Sequence, residues 1–438
     1  MLYQWGFSIP PPFVNISHTS GNWEGLDNAA WGSHVYYSTV AQYDKVREAK
    51  GDAWYEKPMT LTKFGLPDWR PGMDPVMHQE SPAMHRFPVW WTGDGVPLQG
   101  SVESMVDSGV HDFKTYVHSD CGGDYHPTNG GDLLRWTAHC AFGTIFRYHG
   151  SDHRPWQYGD AVTDTIRSYI ETRYKLAPSL IAAGEEAAKT GAPFVTRCDM
   201  LWPEHAADGA RNSTQYIFLK DTLVAPIWEM ATNTTTRSVW IPPGEWEDSW
   251  DGSSVTGPKT IEASQPYEQQ PMWHKKDGGL TVMTDKPGMR IEEGDWSSLT
   301  LEAFPAQTEM LTERSLYAQD THVRGEETAR TDLSMRTDGT GKAHFEITES
   351  SDGAERAWVV RLHLRPNQRV TTAVMDGAEL AVDETTVTHL APLSASETAL
   401  HHFPFGGAGA HPPVNAGHVA ELRLPSAAHA RSLEVTIA

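Results

Sequence analysis

Between Pro88 and Trp156 the chain repeats one unit: a short β-like run, a polar tip, then a helical stretch. Pro88-Val89-Trp90-Trp91-Thr92-Gly93-Asp94-Gly95 ends in a carboxylate set between glycines. Thr115-Tyr116-Val117-His118-Ser119-Asp120-Cys121-Gly122-Gly123-Asp124 places a second carboxylate just after its apolar run. Ile145-Phe146-Arg147-Tyr148-His149-Gly150, followed by His153-Arg154-Pro155-Trp156, supplies an arginine and histidines after a third. Strand, tip, helix is the rhythm of a β/α barrel, whose active site lies at the C-terminal ends of its strands. Parallel strands, adjacent in sequence order, are expected at Met59–Gly65, Val89–Thr92, Thr115–His118 and Thr144–Tyr148.

Helical periodicity separates these runs. It covers Ala29 to Lys50, Ser101 to Val110, Leu133 to Phe142, and a pair from Ala161 to Lys189 broken at Pro178. Residues 1–28 read as irregular, with no barrel strand before Ala29. Leu66 to His85 reads as a long loop, a class of segment that is often functional. Near Asn212 the texture changes to short alternating runs with turn residues, such as Ser238-Val239-Trp240-Ile241-Pro242-Pro243-Gly244 and Leu280-Thr281-Val282-Met283. That pattern predicts β-sandwich modules to the end of the chain.

The formal net charge is −22 over 438 residues. So acidic a chain is a poor partner for nucleic acid. Seventeen tryptophans suit flat sugar platforms, although most tryptophans simply pack. Cys121, Cys140 and Cys198 are widely spaced and lack a CxxC pattern, so neither a disulfide framework nor a zinc site is expected. Asp124, His126 and His118 lie close to Asp120, but no HExxH-like context supports a metal. No cofactor, signal peptide or membrane span is expected.

At the three tips the chain resembles glycoside hydrolase family 31, the α-glucosidase and α-xylosidase family. Trp91-Thr92-Gly93-Asp94 is similar to its Trp-x-Gly-Asp segment. Ser119-Asp120-Cys121-Gly122-Gly123 is similar to its Asp-x-Gly-Gly turn, Phe146-Arg147-Tyr148-His149 to its Arg-x-His strand end, and His153-Arg154-Pro155-Trp156 to its Arg-x-Pro-Trp element. Leu223-Val224-Ala225-Pro226-Ile227 and Phe304-Pro305 resemble its two C-terminal sandwiches. The resemblance implies an α/β plus all-β chain: the second half of a TIM (β/α)8 barrel in 1–211, a proximal β-sandwich in 212–286 and a distal one in 287–438.

It also implies a retaining two-carboxylate mechanism on α-linked glucosides, with Asp94 as general acid/base. Asp120, His149, Trp91, Arg147 and Trp156 would bind the sugar, and Lys63 would supply a strand-end cation. Phe87, Trp90 and Trp91 would raise the pKa of Asp94 by desolvation. Taken alone, Gly93-Asp94-Gly95 also reads as a turn, Asp120 as a capped turn, and His149 as a structural histidine. The family's nucleophile, an Asp at the end of the fourth barrel strand, has no counterpart motif. Asp27 reads as a helix cap. The chain alone is therefore expected to be an incomplete enzyme whose partner is the N-terminal half of the same protein. The alternatives are a transglycosidase and an inactive or purely glycan-binding protein.

Overall fold

The computed structural model describes residues 2–3, 60–62, 89–92, 96–111, 115–123, 129–150, 153–228, 236–317, 329–351, 353–385 and 418–438. A parallel sheet carries the strand tips. Its strands are β1 (Leu2–Tyr3), β2 (Thr60–Thr62), β3 (Val89–Trp91) and β4 (Tyr116–His118), in that order. Leu61 pairs with Val89, and Trp91 with His118, so β2, β3 and β4 are parallel neighbours as the sequence predicts.

The flanks of this sheet differ from expectation. The sequence reading has no strand before Ala29 and leaves Met59–Gly65 at an edge. Instead β1 pairs in parallel with β2, Leu2 opposite Thr60. A two-residue strand is too short to show a period. On the other side Thr144–Tyr148 forms no regular strand. It meets the end of β4 through a single parallel bridge, Cys121 with Tyr148. The cause is Thr144: its Oγ1 accepts from Val117 N at 2.9 Å and donates to Val117 O at 2.6 Å. A hydroxyl thus takes the place of the backbone ladder.

Helices back the sheet. In α1 (Leu98–His111), Leu98, Val102, Met105 and Val106 are buried on one helical face. They share a core with Val117 and with Trp136 and Ala138 of α2 (Gly130–Ala141). Asn129 caps α2 by accepting from Asp132 N at 3.0 Å. Arg173 closes the other end, donating to the carbonyls of Ala141, Gly143 and Thr144 at 2.8 Å each. Burial draws its pKa down to about 10, which leaves it charged.

The expected helix pair is α3 (Asp160–Lys175) and α4 (Ala177–Thr190). The break falls at Leu176, with Pro178 in the first turn of α4 rather than at the break itself. There its missing N–H costs nothing, while its ring stops α3 from continuing.

Beyond α4 the chain is β-rich. One six-stranded antiparallel sheet orders its strands Val195–Thr196, Tyr216–Phe218, Thr222–Val224, Met272–Lys275, Thr236–Asp248 and Ser254–Ser264. Tyr216 Oη donates to Phe142 O at 3.0 Å and fastens this sheet to the end of α2. A five-stranded and a six-stranded sheet then share one core, in which Leu299, Leu301 and Val360 face Phe345, Leu433 and Val435. The architecture is therefore a partial β/α barrel followed by sandwich-type β structure. No helix among the described residues is long and apolar enough to cross a membrane.

Candidate active site

Asp120 is the centre of the site. It follows β4 by two residues, and its side chain is only 3% exposed. Trp91 Nε1 donates to its Oδ1 at 2.9 Å. The Arg147 guanidinium reaches the same oxygen at 3.4 Å, and His149 Nδ1 lies 3.6 Å from Oδ2. Arg147 and His149 are 31% and 34% exposed, so these two side chains lie between the buried carboxylate and solvent. Three of the side chains named from sequence, on the ends of different strand segments, thus converge on a fourth.

The turn that presents Asp120 is fixed by its neighbours. Gly123 N donates to Asp120 O at 2.9 Å. Gly122 and Gly123 have φ of +99° and +70°. A Cβ on Gly122 would lie 3.0 Å from the His153 ring, and one on Gly123 would lie 3.2 Å from Trp136 Nε1. Only glycine meets both demands. Between them and Asp120, Cys121 forms a disulfide with Cys140 of α2, their Cα atoms 6.4 Å apart. The sequence reading, which expected no disulfide framework, did not foresee this pair. The pairing depends on α2 crossing the strand tip, which no spacing between cysteines reveals. Cys198 remains a buried free thiol.

His118 is a functional candidate that sequence reasoning weighed only as a metal ligand. It is 1% exposed, with Nδ1 3.9 Å from Asp120 Oδ1. Burial, then the charges of Arg147 and His149, push its pKa down to about 3. The signal was present in the period of two that puts His118 and Asp120 on one face. Among the described residues no group of three His, Cys, Asp or Glu side chains is arranged to hold a metal ion.

The other named residues stand apart. Trp156, 70% exposed on the short turn Pro155–Tyr158, lies outside the carboxylate cluster. Asp94, Lys63, Asp27, Asp124 and His126 lie outside the described residues.

Fold and site together define a β/α-barrel protein with its polar site at the strand tips and β domains appended. The sequence profile of the glycosyl hydrolases family 31 TIM-barrel domain matches residues 77–183, and that of the family's C-terminal domain matches 191–278. Over residues 77–183 and 191–278 the chain is similar to domains of glycoside hydrolase family 31. It is 29% identical over 208 residues to alpha-glucosidase 2 of Bacillus thermoamyloliquefaciens, covering 45% of this chain and 26% of that protein. It is 24% identical over 381 residues to alpha-xylosidase 1 of Arabidopsis thaliana, covering 80% of this chain and 40% of that one. Among solved structures it is similar to a Flavobacterium johnsoniae dextranase of the same family complexed with glucose. The TM-score there is 0.68 at 18% identity, over 94% of this chain and 50% of that chain. At this identity the structural likeness speaks for the fold alone. The chain spans less than half the length of these curated relatives.

Proposed function

We propose that this chain carries the acid/base and sugar-gripping part of a retaining α-glycosidase acting on α-linked glucosides or related sugars. The observation that carries the reading is the Asp120 carboxylate, held at a strand tip by the Trp91 N–H with Arg147 and His149 beside it. A buried ionisable acceptor flanked by donors grips vicinal hydroxyls, which both donate and accept. Its relatives' names, α-glucosidase and α-xylosidase, support the sugar class. We also propose the division into a barrel segment, a proximal sandwich and a distal sandwich near residues 212 and 287.

Asp94 is the proposed acid/base. It lies three residues after Trp91 in sequence, and Thr92 N donates to His118 O at 3.0 Å, so β3 and β4 end together. As acid, Asp94 protonates the leaving glycosidic oxygen; as base, it then takes a proton from water or from a second sugar. Retention requires a second carboxylate about 5 Å away as nucleophile. We assign that group to a carboxylate outside the described residues. Trp156 and Lys63 are proposed to extend the sugar site.

Hydrolysis of an aryl α-glucoside by the enzyme that joins this chain to its nucleophile tests the reading. Asp94→Asn is expected to lower kcat by about a hundredfold or more while leaving sugar affinity intact. Unchanged turnover in Asp94→Asn would overturn the assignment. Glycan binding without turnover is the second reading, favoured because the family's nucleophile motif has no counterpart in this sequence. Under it Asp120→Asn abolishes binding and no variant alters a rate.

A further inference from the structure

We propose that His118 holds a hydroxyl of the bound pyranose and thereby sets which sugar the site accepts. The inference rests on the proposed sugar-binding role of Asp120 and extends it to a residue with no part in that reading.

Register places His118 at the inner end of the site. It pairs with Trp91 across β3 and β4, and Asp120 follows it by two residues. Side chains so related share a face of a sheet. The distances agree, since Trp91 Nε1 and His118 Nδ1 both approach Asp120 Oδ1, at 2.9 and 3.9 Å. The first is a hydrogen bond and the second is too long for one. Neither ring nitrogen of His118 has a hydrogen-bond partner among the described residues, although the side chain is buried. Buried polar atoms are almost always paired, because leaving them unpaired is costly.

The chemistry of the missing partner follows from the ring. Burial, with the charges of Arg147 and His149, draws the imidazole's pKa down to about 3 and favours the neutral ring, which offers one N–H and one lone pair. An alcohol matches both. Arg147 and His149 on the solvent side and His118 on the inner side bracket Asp120. In this proposal a pyranose held by Asp120 presents one hydroxyl to His118, whose buried ring is reached only as the sugar settles against the carboxylate. A site that hydrogen-bonds a hydroxyl rejects the analogue lacking it more strongly than an apolar pocket discriminates by size.

Calorimetric titration of the full chain with glucose, xylose and the monodeoxy-glucoses tests this. His118→Phe is expected to weaken glucose binding by about tenfold. One deoxy sugar is expected to bind the wild type about tenfold less well than glucose does, yet to bind His118→Phe equally well. A loss of stability alone would not equalise two sugars. Should Asp120→Asn abolish binding while His118→Phe keeps the affinity and the ranking of sugars, the inference falls and the Asp120 reading stands. Absence of sugar binding by the wild type overturns both. Nitrogen-15 NMR of histidine-labelled wild type needs no variant. The His118 ring is expected to stay neutral from neutral pH to about pH 5, and its nitrogens to shift when glucose is added. Unshifted nitrogens under saturating glucose overturn the inference.

Discussion

Gly122 and Gly159 both have positive φ, +99° and +92°, but only Gly122 is crowded. A Cβ on Gly159 meets nothing within 4 Å, whereas on Gly122 it meets the His153 ring at 3.0 Å. Gly159→Ala should therefore cost only its backbone term, about 1–3 kcal/mol, and Gly122→Ala about 1–3 kcal/mol more. Thermal unfolding of the two variants checks this, and equal losses would show that packing against His153 is unimportant. Gly122→Ala should also weaken sugar binding, because the turn holding Asp120 must shift. At this scale the sequence was informative about residue type. Asp120, Trp91, Arg147 and His149 were named together because their motifs, at the ends of successive strand-like runs, resemble those of glycoside hydrolase family 31. Their mutual distances were not legible, and neither was the neutral state of His118, since both depend on which side chains share a face and how deeply they lie.

At the scale of elements, α2 is tied to the parallel sheet by the Cys121–Cys140 disulfide and to α3 through Arg173, which binds the carbonyls at and just beyond the helix end. A disulfide closing a loop of this length contributes about 3 kcal/mol. Alkylation of denatured, unreduced protein should modify Cys198 alone. Modification of all three cysteines would contradict the pairing. Cys140→Ser should lower the melting temperature and loosen the tip that carries Asp120.

The proximal sheet holds a second titrating element. Asp248 ends the strand Thr236–Asp248 and accepts from Trp250 N at 2.7 Å. Burial, aided by the charge of Asp251, nevertheless raises its pKa to about 7. A carboxyl raised in the folded state contributes stability that is present below about pH 4 and lost as pH rises through 7. Asp248→Asn should therefore stabilise the chain at pH 8, by about 1–3 kcal/mol, and have little effect at pH 4. A melting-temperature gain equal at both pH values would contradict the shift. Elements were legible where they were long: α1 and α2 fall on their predicted periods within a few residues. They were illegible where a single side chain decided the matter. Thr144 replaces a backbone ladder with its hydroxyl, and Pro178 tolerates the first turn of α4 instead of marking the break.

For the whole molecule, the strand–tip–helix rhythm followed by alternating runs was enough to read a barrel segment and then β domains. The rhythm survives because each tip must be polar and each strand must be buried on both faces. The strand pairing of β1 with β2 was not readable, because a long-range contact between residues 2 and 60 leaves no local trace. The central claim is that one site at the tips of β3 and β4 grips the sugar and protonates the bond to be broken. The most direct measurement is a crystal structure of the full chain soaked with glucose. The account predicts a pyranose with hydroxyls about 3 Å from Asp120 and in reach of Arg147 and His149, with the Asp94 carboxyl beside the anomeric oxygen. Glucose bound away from Asp120, or an Asp94 carboxyl on the opposite face of the sheet from Asp120, would contradict it.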